Sequence, residues 1–161
     1  MDVVASAIAT AAASLAAIVD VRSRRIPNWL TGGLALSGLV FNFWRGGVTG
    51  VGLALAGATL GLAMLLPFYA VKAIGAGDVK LLAGLGAILG PHELVSVAIY
   101  AALAGGVISA VMLARGGRLL SVLREMLIEH RPPTRGGATA PYGVAIASGM
   151  YLTLVLPGVL G

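Results

Sequence analysis

Two aspartates carry the chemistry available to this sequence. Asp78 stands in Ala73-Ile74-Gly75-Ala76-Gly77-Asp78-Val79-Lys80, between two apolar runs. A carboxylate at the centre of a membrane helix costs roughly 2.5–3.5 kcal/mol on insertion scales, and less near an end, so one placed here calls for a use. Gly75 and Gly77 favour backbone angles that break a helix and leave the main chain open to an extended peptide. Asp20 closes the first apolar run and is followed by Arg22, Arg24, Arg25, Ile26, Pro27 and Asn28. Two carboxyl groups that share a site cannot both ionise cheaply, so one keeps a proton near neutral pH. The ionised member takes a proton from water and the protonated member polarises a carbonyl oxygen. That is peptide hydrolysis by general acid–base catalysis, without metal or covalent intermediate. The proton belongs to the pair, so acid and base are not assigned to single residues.

The elements that must bring the two together are apolar helices. The 161-residue chain is 58% hydrophobic and 11% charged, against roughly 25% charged for a soluble domain, and its mean hydropathy is +0.98. The runs are long and unalternating, unlike the segments of a membrane barrel. The expectation is an all-α integral membrane protein, a single domain over 1–161. It is a bundle of about six transmembrane helices over 3–19, 29–43, 48–71, 79–90, 94–114 and 140–160. The first run has no basic residue before it and a basic cluster after it, which favours a retained helix over a cleaved signal. Arg45-Gly46-Gly47 and Pro91-His92-Glu93 read as turns, with His92 and Glu93 solvated. Between the fifth and sixth runs, Leu119, Leu120, Leu123, Met126 and Leu127 recur at helical spacing, as on a short amphipathic cytoplasmic helix or a plain surface helix. Glycines four apart, such as Gly57 and Gly61, suit close helix packing.

With alternating sides, one set of loops carries Arg22, Arg24, Arg25, Lys72, Lys80, Arg115, Arg118, Arg124, Arg131 and Arg135, while the other carries only Arg45. The positive-inside rule makes the rich side cytoplasmic and puts both termini outside. Asp20 and Asp78 then share a face at similar depth. The net charge of +5 reflects this sidedness and not a nucleic-acid partner. There are no cysteines and only two histidines, His92 and His130, which removes thiolate chemistry and gives no pattern for a metal or a cofactor.

Each residue also has a plainer use. Asp20 could pair with Arg22 or Arg24, or cap a helix. Asp78 could be the N-cap of the fourth helix. Pro27-Asn28 suits a helix start, Lys80 a snorkelling boundary, and Pro141-Tyr142-Gly143 a helix entry with an interfacial tyrosine. Two other functions use the same carboxylates, an ion-coupled small membrane transporter and a scaffolding subunit with both aspartates as interface anchors.

Taken together, Asp20-Val-Arg22 with Ile26-Pro27-Asn28 closely resembles the first aspartate motif of bacterial type IV prepilin peptidases. Gly75-Ala76-Gly77-Asp78, with Lys80 and Leu81 after it, resembles their second, G-x-G-D motif, and Pro141-Tyr142-Gly143 resembles the opening of their last helix. The resemblance runs from the first predicted helix to the sixth. It implies a membrane aspartyl endopeptidase that cleaves the leader of prepilins or pseudopilins at the cytoplasmic face of the inner membrane, with Asp20 and Asp78 as the catalytic pair. Size points to the peptidases of tight-adherence (Flp) pilus systems. Larger members carry an early cytoplasmic segment, often with zinc-binding cysteines, and also methylate the new N-terminus. Only the short stretch from Asp20 to Asn28 separates the first two spans here, and cysteine is absent, which argues against methyl transfer. Presenilin-like proteases share G-x-G-D, but their first aspartate follows a tyrosine and Asp20 follows Val19.

Overall fold

The computed structural model describes residues 2–117, 122 and 142–156, all helical or connecting, with no strand among them. The amphipathic segment that carries Leu119 to Leu127, together with Pro141, lies outside the described residues.

Helix α1 spans Val3–Ser23. Asp2 caps it, its Oδ1 accepting the N–H groups of Val4 and Ala5 at 2.9 and 3.1 Å, which satisfies two of the donors a helix start leaves unpaired. Its inward face reads Ala5, Ala9, Ala13, Ala16 and Asp20, four, four, three and four apart. A 3.6-residue period turns that spacing into one stripe, and alanine lets α1 lie close to its neighbours. The helix ends at Arg24, whose left-handed backbone (φ 51°) turns its N–H onto the Asp20 carbonyl at 2.8 Å.

Helix α2 runs from Asn28 to Ala70 and contains one non-helical residue, Gly47, at φ 57° and ψ −136°. L-residues avoid that region, so the turn read at Arg45-Gly46-Gly47 closes on its last glycine. The chain reverses there, and a Cβ on Gly50 would collide with the Asn42 carbonyl. The two arms therefore flank helix α3, Ala76–Leu89. The first arm lies parallel to α3, with Ile26 against Gly77, Leu34 against Gly84 and Gly38 against Ala87. The second lies antiparallel, with Gly57 against Gly86 and Gly61 against Leu82. The backbones of Gly57 and Gly86 touch so closely that a Cβ on either would overlap the other's carbonyl, so the glycines are packing residues.

Helix α4 covers Pro91–Arg115 and α5 covers Tyr142–Val155. Pro91-His92-Glu93 is not a turn. Gly90 (φ 81°) makes the turn and Pro91 begins α4, because proline's fixed φ and missing N–H suit a first helical position. His92 and Glu93 belong to that first turn and have interaction partners, where the sequence suggested plain solvation. Helix α5 packs on α1 and α4, and α3 packs mainly on α2. Leu81, Leu82, Leu85 and Ile88 of α3 meet Leu94, Val97, Ile146 and Met150 in a fully buried core.

Three helices, α1, α2 and α4, are long and apolar enough to cross a membrane, and α5 is a shorter apolar helix. The outer surface displays Leu36, Val40, Leu53, Leu62, Leu103 and Val107, a covering suited to lipid. Together these features describe an all-helical membrane protein.

Candidate active site

The alanine stripe of α1 delivers Asp20 to the interior, where it is 7% exposed. Its Oδ2 accepts the backbone N–H of Gly143, in the first turn of α5, at 3.0 Å. An N–H there is one of those a helix start leaves free, and the helix dipole favours an anion beside it. The approach is tight, since a Cβ at position 143 would sit 3.0 Å from both Cβ and Oδ2 of Asp20 and the carboxyl would have to give way. Among the described residues Asp20 forms no ion pair with Arg22 or Arg24, which are exposed.

Asp78 lies in the first turn of α3 and is 8% exposed. Its Oδ2 accepts the Gly75 N–H at 3.1 Å. Helix α3 thus begins at Ala76, three residues earlier than the 79–90 read from the sequence, and Gly75 is the capping residue. Asp78 supplies only the return bond of a capping box. That bond occupies one of its oxygens, as the Gly143 bond occupies one on Asp20. The two carboxyl groups are close enough to repel each other.

The other predicted positions divide. Ile26 is buried and lies against Gly77, so the start of α2 fixes the turn that presents Asp78. Pro27 precedes α2 in extended conformation. Lys80 Nζ donates to Asn28 Oδ1 at 2.9 Å, tying the starts of α2 and α3 together at the surface. Arg22 points to solvent and is not brought to the pair. Tyr142 is half-buried, and its hydroxyl lies within Coulombic range of Asp78. Next to the pair, an apolar cavity of about 350 Å³ opens between α2, α3, α4 and α5, with Met64, Phe68, Ile74, Ala98, Gly105 and Tyr142 among its walls.

Two contributions escaped sequence reasoning. One is the Gly143 N–H, a backbone group; Pro141-Tyr142-Gly143 marked the place but not the partner. The other is Asn42, whose side-chain amide donates to the carbonyls of Gly38, Ala87 and Ile88 at 3.0, 2.9 and 3.2 Å. A lone asparagine in an apolar run was the available signal. It anchors the far end of the helix that carries Asp78. No group of three metal-ligating side chains occurs among the described residues.

A family model described as "Type IV leader peptidase family" matches residues 7–110, which include both aspartates and α1 to most of α4. The chain is similar to a prepilin leader peptidase/N-methyltransferase of Pectobacterium carotovorum subsp. carotovorum, 37% identical over 101 residues, covering 58% of this chain and 36% of that protein. It is also similar to one from Burkholderia pseudomallei (strain 1026b), 35% identical over 105 residues, covering 61% of this chain and 34% of that protein. The chain thus spans about a third of the length of the curated relatives it matches. No solved structure matches it.

Proposed function

The chain belongs to the type IV leader peptidase family, and from that premise we propose that it is a membrane aspartyl endopeptidase that removes the leader peptide of type IV prepilins. The observation that carries the proposal is the pair Asp20 and Asp78, two buried carboxyl groups from different helices; among the described residues each is held by one backbone N–H and each has an oxygen to spare. Water bound between them loses a proton to the ionised carboxylate as its oxygen attacks the scissile carbonyl carbon. The protonated partner gives its proton to the carbonyl oxygen. Collapse of the tetrahedral intermediate then breaks the C–N bond, with a proton passing to the departing nitrogen. The spare oxygens do this work, while the Gly143 and Gly75 bonds hold the carboxyls in register.

The bundle of about six spans expected from the sequence remains part of this reading, supported by the reversal at Gly47 that divides α2 into two apolar arms. Among the described residues, Arg22, Arg24, Arg25, Lys72, Lys80 and Arg115 cluster at the end that bears the pair, and Arg45 lies at the other. By the positive-inside rule the pair faces the cytoplasm of a bacterial inner membrane, where a leader is accessible. Flp-type prepilins are the narrower substrate expectation. The comparisons do not favour an ion-coupled carrier.

The test is co-expression with Flp-type and other prepilins, followed by mobility shift. Wild type produces the shorter pilin, and Asp20→Asn and Asp78→Asn each abolish it while the protein remains inserted. Processing retained in both variants would sink the assignment.

A further inference from the structure

We propose that Tyr142 is a third catalytic residue, its hydroxyl donating a hydrogen bond to the scissile carbonyl oxygen as charge develops there. The proposal rests on the peptidase reading above. Its geometry comes from three directions. The next residue, Gly143, is bonded through its N–H to Asp20, which fixes the Tyr142 backbone one residue before it, about 3.8 Å away by the spacing of consecutive Cα atoms. The ring leans toward α4, with Cε2 3.5 Å from where a Cβ on Gly105 would stand, an ordinary contact distance that places it against that helix. The hydroxyl lies in the field of Asp78, and the same ring walls the apolar cavity between α2, α3, α4 and α5. Among the described residues no hydrogen bond uses this hydroxyl. Tyr142 thus precedes the residue that holds Asp20, lies in the field of Asp78 and walls the neighbouring apolar cavity.

The chemistry needs such a group. When water attacks, the carbonyl π pair moves onto oxygen, and that oxygen takes up one proton from the pair. A donor fixed beforehand stabilises the oxygen while the proton is in flight, and costs no rearrangement at that moment. Tyr142 transfers no proton and ends each cycle as it began. Bound to neutral carbonyl, its bond is weak; bound to the developing oxyanion, it is strong, so its effect falls on kcat.

The experiment is cleavage kinetics of the purified full chain on a prepilin that wild type processes, comparing Tyr142→Phe with Tyr151→Phe. Phenylalanine keeps the ring against Gly105, so the cavity wall survives. Tyr151 is also on α5, bonded to Ser14 at 2.9 Å, and controls for loss of a hydroxyl from that helix. Tyr142→Phe should lower kcat by about 100-fold, the scale for removing one such donor, with KM within about twofold and Tyr151→Phe near wild type. An unchanged kcat in Tyr142→Phe overturns the proposal and leaves the peptidase reading standing. An equal loss in Tyr151→Phe overturns it too, because the effect would then lie in the seating of α5. Wild type that cleaves no prepilin refutes the peptidase reading, and this inference falls with it.

Discussion

Replacing Gly143 by alanine tests how tightly the Asp20 carboxyl is held. The added Cβ would stand 3.0 Å from Cβ and Oδ2 of Asp20 and 3.3 Å from its Cγ. Carbon–carbon contacts are comfortable at about 3.5 Å, so the carboxyl must retreat by about 0.5 Å or α5 must lift by as much. Either movement stretches the Gly143–Asp20 bond from 3.0 Å to about 3.5 Å, near the limit of a hydrogen bond. A hydrogen bond to a charged group contributes about 1.5–3 kcal/mol, and a misplacement of about 1 Å at a reacting centre costs up to about 100-fold in rate. The expected result is a 10- to 100-fold fall in kcat for prepilin cleavage, with thermal stability in detergent lowered by about 1–3 kcal/mol. Gly33→Ala, where a Cβ meets nothing within 4 Å, serves as the control and should leave both unchanged. A folded Gly143→Ala protein with wild-type kcat would refute the claim that this bond aligns Asp20.

Other outcomes follow from the scaffold. Asn42→Ala removes the donor shared by the Gly38, Ala87 and Ile88 carbonyls and should cost about 1–3 kcal/mol in chemical unfolding. Gly47→Ala forces a Cβ onto a backbone at φ 57° and ψ −136° and should cost about 1–3 kcal/mol, whereas Gly46→Ala, with open space around it, should be neutral or slightly stabilising by the same measurement. At Asp2, the Ala5 N–H, with Arg45 adding to it, holds the carboxyl below its usual value. A lowered folded-state pKa gives stability that is present above about pH 3.9 and lost as pH falls through the folded value. Asp2→Asn should therefore flatten the acid limb of the thermal stability curve, and an unaltered acid limb would count against the cap.

The helices were legible because composition and run length leave little else for such residues to do; sidedness suggested that Asp20 and Asp78 share a face, and only helix packing decides whether they approach. The first arm of α2 was read correctly to within a few residues, since Trp29 and Trp44 bracket an unbroken apolar run. The start of α3 was placed late because two glycines looked like a broken segment. Gly75 instead caps the helix, and Gly77 sits inside it, where a Cβ would press on Ile26 at 3.0 Å. The start of α4 was missed because Pro91 has two meanings, turn and first helical residue, and only the neighbouring Gly90 decides between them. The Gly143 bond was out of reach for a different reason, since a backbone donor has no residue type to betray it. Arg22 was named on motif grounds, and its solvent exposure ties it to neither carboxyl.

The short helix between the arms of α2 bears on how the protein is made. Helix α3 has 14 residues, about 21 Å at 1.5 Å per residue, against a hydrocarbon layer of about 30 Å. Alone it has neither the length to cross nor a lipid-facing surface, since ten of its residues are buried by the other helices. The hairpin reversed at Gly47 lies immediately upstream in the chain, so during synthesis it emerges first and offers a slot lined by Gly38, Gly57 and Gly61. The carboxylate-bearing helix then enters a prepared protein groove instead of lipid. An insertion order in which the hairpin precedes α3 makes Asp78 tolerable to the membrane, and a nascent chain stalled before the hairpin closes would expose that charge to the insertion machinery.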